Sequence, residues 1–294
     1  MMTRIPRSIA LTLAVCLVAA SACSPSAPST PPPPTPAERE AAKALGSALQ
    51  ATVVYQRPDG IYVIDIGADA PRQVVVGGTC PRWAPNGKSI AFVHENRIMR
   101  VGIDGKGIEE LARAEKAKAV AWHPNGREIL YTDGTFIRAV GVRTKGIRNV
   151  AAGLRFTEMD VGLGGKRLAV TVRRRGYSIY AFDLKQGQHR KLRAGGSASL
   201  SPDSSRITCN EENHRVLSLL DWETGQVVRE LHAGGDAGFD NHCWSNESDW
   251  IACIREGKHT DVLLHQVSTD TSTRVTFTGD CTRPDLYIAS TSPP

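Results

Sequence analysis

From residue 52 onward the apolar positions fall into short runs bounded by polar turns. One set reads SIAFV (89–93), EILYT (128–132), RLAVTV (167–172), RITC (206–209) and WIACI (250–254). Each is followed by a second run: RIMRVGI (97–103), FIRAVGV (136–142), SIYAFDL (178–184), VLSLLDW (216–222) and VLLHQV (262–267). Runs this short, rich in Val, Ile and aromatic residues, predict strands rather than helices. Ahead of three of them stand Pro85-Asn86-Gly87-Lys88, Pro124-Asn125-Gly126-Arg127 and Pro202-Asp203-Ser204-Ser205. Asn and Gly accept positive φ at low cost, so these segments read as tight hairpin turns.

The pattern repeats. Gly87, Gly126, Gly165 and Ser204 recur every 39 residues, and Trp83 and Trp122 keep the same interval. Each unit holds a short strand ending near the Trp position, the turn, two strands, a polar turn such as Asp104-Gly105-Lys106-Gly107, and a short fourth strand. Four antiparallel strands in about 40 residues describe a propeller blade. A sixth unit, NHCWSNESDWIACI (241–254), follows a longer connection. Thr52 to Val76 supplies only three strands (TVVYQ, IYVID, RQVVV), while Gly279-Asp280-Cys281-Thr282-Arg283 near the other end echoes Gly78-Thr79-Cys80-Pro81-Arg82. Cys281 to Ile288 is therefore expected to complete the first blade. The predicted fold is all-β: a six-bladed β-propeller of four-stranded antiparallel blades over residues 51–290, closed by pairing of its N- and C-terminal strands.

Residues 82–112, RWAPNGKSIAFVHENRIMRVGIDGKGIEELA, resemble the repeat of the TolB-like propellers, a WD-repeat-like family, and the resemblance extends over about residues 52–290. It implies six blades and work through protein partners. Some related propellers precede a serine-hydrolase domain, but no G-x-S-x-G occurs here.

The first 22 residues read differently. Arg4 and Arg7 precede an apolar stretch from Ile9 to Ala22, too short for a spanning helix and suited to a secretory signal. Ala20-Ser21-Ala22 then Cys23 resembles a bacterial lipobox, with Ala20 where Leu is usual. The resemblance implies that Cys23 carries lipid; ordinary cleavage to a soluble secreted product is the alternative. Residues 23–50 form the tether: a Ser/Pro-rich spacer through Pro36, then PAEREAAKALGSAL (36–49), whose Ala, Glu and Lys favour a short helix. The expected address is the cell envelope, on its periplasmic or surface side.

The formal charge is +6, with Arg173-Arg174-Arg175 as the one basic run. Together with the exported address, this argues against nucleic acid as a partner. Recurrent Trp83, Trp122 and Trp244 read as packing between blades. The loops entering the innermost strands should form one rim, gathering Arg82, Lys118, Glu158, Asp240, His242, Asp280 and Arg283 as candidate binding residues. Five cysteines follow Cys23, and Cys80 and Cys281 share a G-x-C-x-R context that could bring them together as a disulfide. No metal-ligand spacing or catalytic constellation stands out, so no cofactor is expected. The leading expectation is a monomeric, non-catalytic, envelope-tethered scaffold for a protein or cell-wall polysaccharide partner. The alternatives are an enzyme at the channel mouth, of metal-dependent polysaccharide lyase or lactonase type, and a small-ligand or glycan sensor.

Overall fold

A computed structural model describes residues 31–211, 214–232 and 238–289; the signal segment and Cys23 lie outside the described residues. The strands form six four-stranded antiparallel sheets. Their inner strands are Thr282–Ile288 in blade one, Thr79–Trp83 in two, Ala119–Trp122 in three, Phe156–Val161 in four, Gly196–Leu200 in five and Gly238–Trp244 in six. Each touches the next around a closed ring.

The repeat turns explain the spacing seen in the sequence. Gly87, Gly126, Gly165 and Ser204 take φ of +65°, +67°, +67° and +60°. Asn86, Asn125 and Asp203 each accept the backbone N–H two residues on, at 2.8–3.0 Å, which locks the turn. Second strands are apolar without interruption because both of their faces are covered. Ile90 and Phe92 pack with Val54 and Trp83 toward blade one, while Ala91 and Val93 join the core shared with blade three.

Closure occurs as expected: Thr282–Ile288 pairs antiparallel with Ala51–Arg57, matching Ala51 to Ile288, Val53 to Leu286 and Gln56 to Thr282. Pairing the two ends leaves no open seam between first and last blades. Pro36–Leu49 is a helix, α1. Its capping box is complete: the Thr35 hydroxyl accepts the Glu38 N–H at 3.2 Å and the Glu38 carboxylate accepts the Thr35 N–H at 2.8 Å. Arg274 of blade six pairs with both Glu38 (3.3 Å) and Asp261 (2.7 Å), holding the helix to the ring. Gly46 permits the approach, since a Cβ there would lie 1.9 Å from the Ile66 carbonyl oxygen.

Candidate functional site: a channel with two unlike mouths

Side chains alternate along each inner strand, so the residue before the Trp position faces the channel. Around the ring this set is Arg82, Ala121, Asp160, Ser199, Cys243 and Asp285. Nothing pairs with the channel side of an inner strand, and several of its N–H groups need acceptors from elsewhere. Asp285 supplies one across the blade boundary, accepting the Trp83 N–H at 2.7 Å. Asp160 accepts the Leu200 N–H at 2.9 Å and the Ser199 hydroxyl at 2.7 Å, and Ser199 in turn accepts the Trp244 N–H at 3.0 Å. These side chains link blade one to two, and four to five to six.

The same groups crowd the channel side of the inner strands. Burial pushes the Asp285 carboxyl up to about 6, against the opposing pull of the nearby Arg82 guanidinium. Arg82 also donates to the Pro81 and Pro284 carbonyls, each at 3.4 Å. His242 is 3% exposed and lies against the Thr208 backbone of blade five. Burial lowers its pKa to about 4, so the ring is neutral at pH 7. Between the mouths the free space narrows to about 20 Å³ beside Arg82, Met159 and His242, enough for about one water.

One mouth is a polar basin of about 640 Å³. Its floor is shaped by a recurrent bulge. Cys80, Ser197, Asn241 and Arg283 hold equivalent inner-strand positions, take φ of +55°, +54°, +46° and +49°, and sit where the strand register shifts. Bulges of this kind re-aim side chains at functional rims. Neighbouring blades cap the bulged N–H groups: Gln56 accepts from Cys80 at 3.1 Å and Glu158 from Ser197 at 2.9 Å. Asp240 accepts from the Ser197 hydroxyl and the Asn210 amide, both at 3.3 Å, and from the Asn241 amide.

Of the seven rim candidates, Lys118, Glu158, Asp240 and Arg283 line this basin together. Arg82 and His242 lie deeper, in the throat. Asp280 does not line the basin; it pairs with Arg57 at 3.0 Å, and that guanidinium stacks 4.6 Å from the Tyr62 ring. The expected Cys80–Cys281 disulfide is absent, and all five cysteines described are buried thiols. The two sulfurs address different neighbours. Cys80 Sγ donates to the Lys118 carbonyl of blade three at 3.0 Å, whereas Cys281 Sγ contacts the Thr276 and Thr278 hydroxyls at 3.3 and 3.2 Å. Burial pushes the Cys281 thiol up to about 11. Among the described residues, no group of three or more His, Cys, Asp or Glu is placed to hold a metal ion.

The opposite mouth was not singled out from sequence. It is a concavity of about 270 Å³ walled by Trp83, Trp122, Trp244, Val161, Leu200, Leu286 and Tyr287, with Pro85, Pro124 and Pro202 at its edge. The packing role read for the tryptophans holds: each is 6–8% exposed, Trp83 donates its indole N–H to the Asp285 carbonyl at 3.1 Å, and Trp122 to that of Arg82 at 3.2 Å. Trp244 breaks the series, because its indole N–H has no partner among the described residues. The signal for this mouth was the recurrence of an apolar residue two positions before Pro (Trp83-Pro85, Trp122-Pro124, Leu200-Pro202), which places one apolar wall residue and one turn proline per blade at the same end.

No family profile and no curated protein matches the sequence. Solved structures do match in shape. TolB from Acinetobacter baumannii superposes with a TM-score of 0.65 at 17% identity, over 81% of this chain and 66% of that one, so this chain spans just under two thirds of that TolB. A putative TolB from Agrobacterium tumefaciens gives 0.61 at 14% identity, over 82% and 99%. A chain in the crystal structure of a nidogen/laminin complex gives 0.68 at 12% identity, over 83% and 100%. At these identities the likeness establishes architecture: this chain has the six-bladed β-propeller fold that it shares with the TolB structures.

Proposed function

We propose that the protein is a non-catalytic binding scaffold, exported and held at the envelope through Cys23, which takes up a segment of a protein partner at its aromatic mouth. The observation that carries this reading is the apolar concavity at one mouth of the channel. A ligand entering it displaces water from the partly exposed Val161 and Tyr287 and from Pro85, Pro124 and Pro202 at the edge and gains hydrophobic free energy, while Arg82, Asp160 and Asp285 stand at its floor. The three indoles bury their faces, so they offer no flat platform for a sugar ring, which favours a protein over a polysaccharide. In the basin, Glu158 and Asp240 accept bonds that hold the bulges in place, an assignment that suits structure better than acid–base work. The propeller of similar shape in the nidogen/laminin complex supports protein recognition on this architecture.

The test is co-purification from the native envelope. The wild type should retain a defined protein, and Pro85→Arg, at the exposed edge of the aromatic mouth, should lose it with little change in melting temperature. Lys118→Glu, in the basin, should keep it. The opposite pattern assigns the partner to the basin, and recovery of a glycan in place of a protein supports the polysaccharide reading.

A further inference from the structure

Charge is unevenly shared around the ring. Blade four, residues 154–194, carries ten Lys and Arg against three Asp and Glu, whereas the whole chain carries 36 against 30. The rest of the chain is therefore almost balanced, and the basic character belongs to one blade. On the basin side of that blade Arg155, Arg173, Arg174 and Arg175 are all exposed. Arg155 adjoins Arg173 through the Arg173 N–H to Arg155 carbonyl bond at 2.9 Å. None of the four has a carboxylate within ion-pair distance among the described residues. Tyr177 stands 48% exposed beside them, its ring 5.7 Å from the Arg173 guanidinium.

The tether leaves from the same side. Pro31 packs on Gly279, where a Cβ would fall 2.7 Å from the proline ring. Gly279 leads into the inner strand of blade one, whose early residue Arg283 lines the basin. Helix α1 then descends the flank, and Ala51 pairs with Ile288 at the far end of that strand. Seven residues lie between Cys23 and Pro31, and eight Cα–Cα steps reach at most about 29 Å. Blade four lies three blades from blade one, across the ring from this exit.

We propose that Arg155, Arg173, Arg174, Arg175 and Tyr177 form a docking surface for anionic lipid headgroups. With the tether leaving at one edge, at Pro31, and the arginines at the opposite edge of one face, the basin lies toward the membrane and the aromatic mouth faces away, open to its partner. Guanidinium groups suit phosphate oxygens, and a tyrosine at the rim suits the interface. The orientation rests on the reading of Cys23 as the anchor; the headgroup surface does not.

The experiment separates the two. The chain from residue 23, made as Cys23→Ser so that no acyl group is present, is sedimented with vesicles of phosphatidylcholine alone or mixed with phosphatidylglycerol. Binding should require the anionic lipid and weaken with salt. Arg173→Ser/Arg174→Ser/Arg175→Ser should lower the partition coefficient about 150-fold, from about fivefold per charge. Lys166→Ser/Lys185→Ser/Lys191→Ser removes the same charge from exposed sites elsewhere on blade four and should change it little. Equal loss from both triples would overturn the proposal in favour of net charge alone. So would equal binding to neutral vesicles, or binding to a soluble polyanion such as heparin without binding to vesicles. Mass spectrometry of the native chain tests acylation of Cys23 separately, and an unmodified Cys23 would remove the anchor while leaving the vesicle result standing.

Discussion

Asp285 and His242 are buried within the throat and titrate in opposite senses. The Asp285 carboxyl sits at about 6 in the fold against 3.8 ordinarily, so its protonated form is favoured and folding stability rises as pH falls from 6 toward 4. His242 sits at about 4 against 6.5, so its neutral form is favoured and stability falls as pH drops from 6.5 through 4. Each slope is about 1.4 kcal/mol per pH unit, and the two offset one another across this window. Urea midpoints at pH 4.5 and 6.0 should therefore differ least in the wild type. Asp285→Asn, which keeps an acceptor for the Trp83 N–H, should lose stability on acidification relative to wild type, and His242→Gln should gain it. Parallel pH profiles for all three proteins would contradict this assignment. Lys118, Glu158, Asp240 and Arg283 come together at one mouth because the start of an inner strand determines the rim. The sequence did not resolve depth: Arg82 stands one residue and His242 two before their Trp positions, which puts both in the throat. Asp280 falls outside because Arg57, distant in sequence, draws it away.

The repeat turns show how one local signal acquires different worth in different surroundings. Gly87 and Gly126 occupy the same turn position with nearly the same φ. A Cβ on Gly87 would lie 2.3 Å from the Tyr287 ring, whereas nothing lies within 4 Å of one on Gly126. Gly126→Ala should cost about 1 kcal/mol from backbone strain alone. Gly87→Ala should cost more, because Tyr287 and the closing strand must also move. Equal melting temperatures for the two variants would show that Tyr287 yields freely. The hairpins and the helix were legible because Asn-Gly turns and the Thr35–Glu38 cap are local signals. The inner-strand bulges were not, since Cys80, Ser197 and Arg283 are residues that seldom adopt positive φ, and Asn241 stands in no turn motif. Caps from the adjacent blade, Gln56 on Cys80 and Glu158 on Ser197, help to hold two of them there.

For the molecule as a whole, the number of blades and the closing strand followed from the repeat and its missing strand. The two faces did not, because a repeat says which residues are equivalent but not which end of the channel each side chain reaches. Closure concentrates several interactions in one strand: the pairing with Ala51–Arg57, the Asp285 bond to Trp83, and the Pro284 carbonyl that accepts the Cys243 thiol at 3.1 Å. A chain ending at Asp280 loses all of them and exposes two blades at once. It should melt far below the full chain or aggregate, since several kcal/mol is a large share of the total stability. An unchanged melting temperature would show that the ring closes by other means.

The account as a whole assigns the aromatic mouth to a partner and the basic rim to the membrane. Photoreactive phenylalanine analogues placed at Tyr287 and at Arg174, and irradiated in the native envelope, test that assignment most directly. The account predicts a discrete protein adduct from position 287 and a lipid adduct from position 174. Lipid at 287 with protein at 174, or no protein adduct at 287, would contradict it.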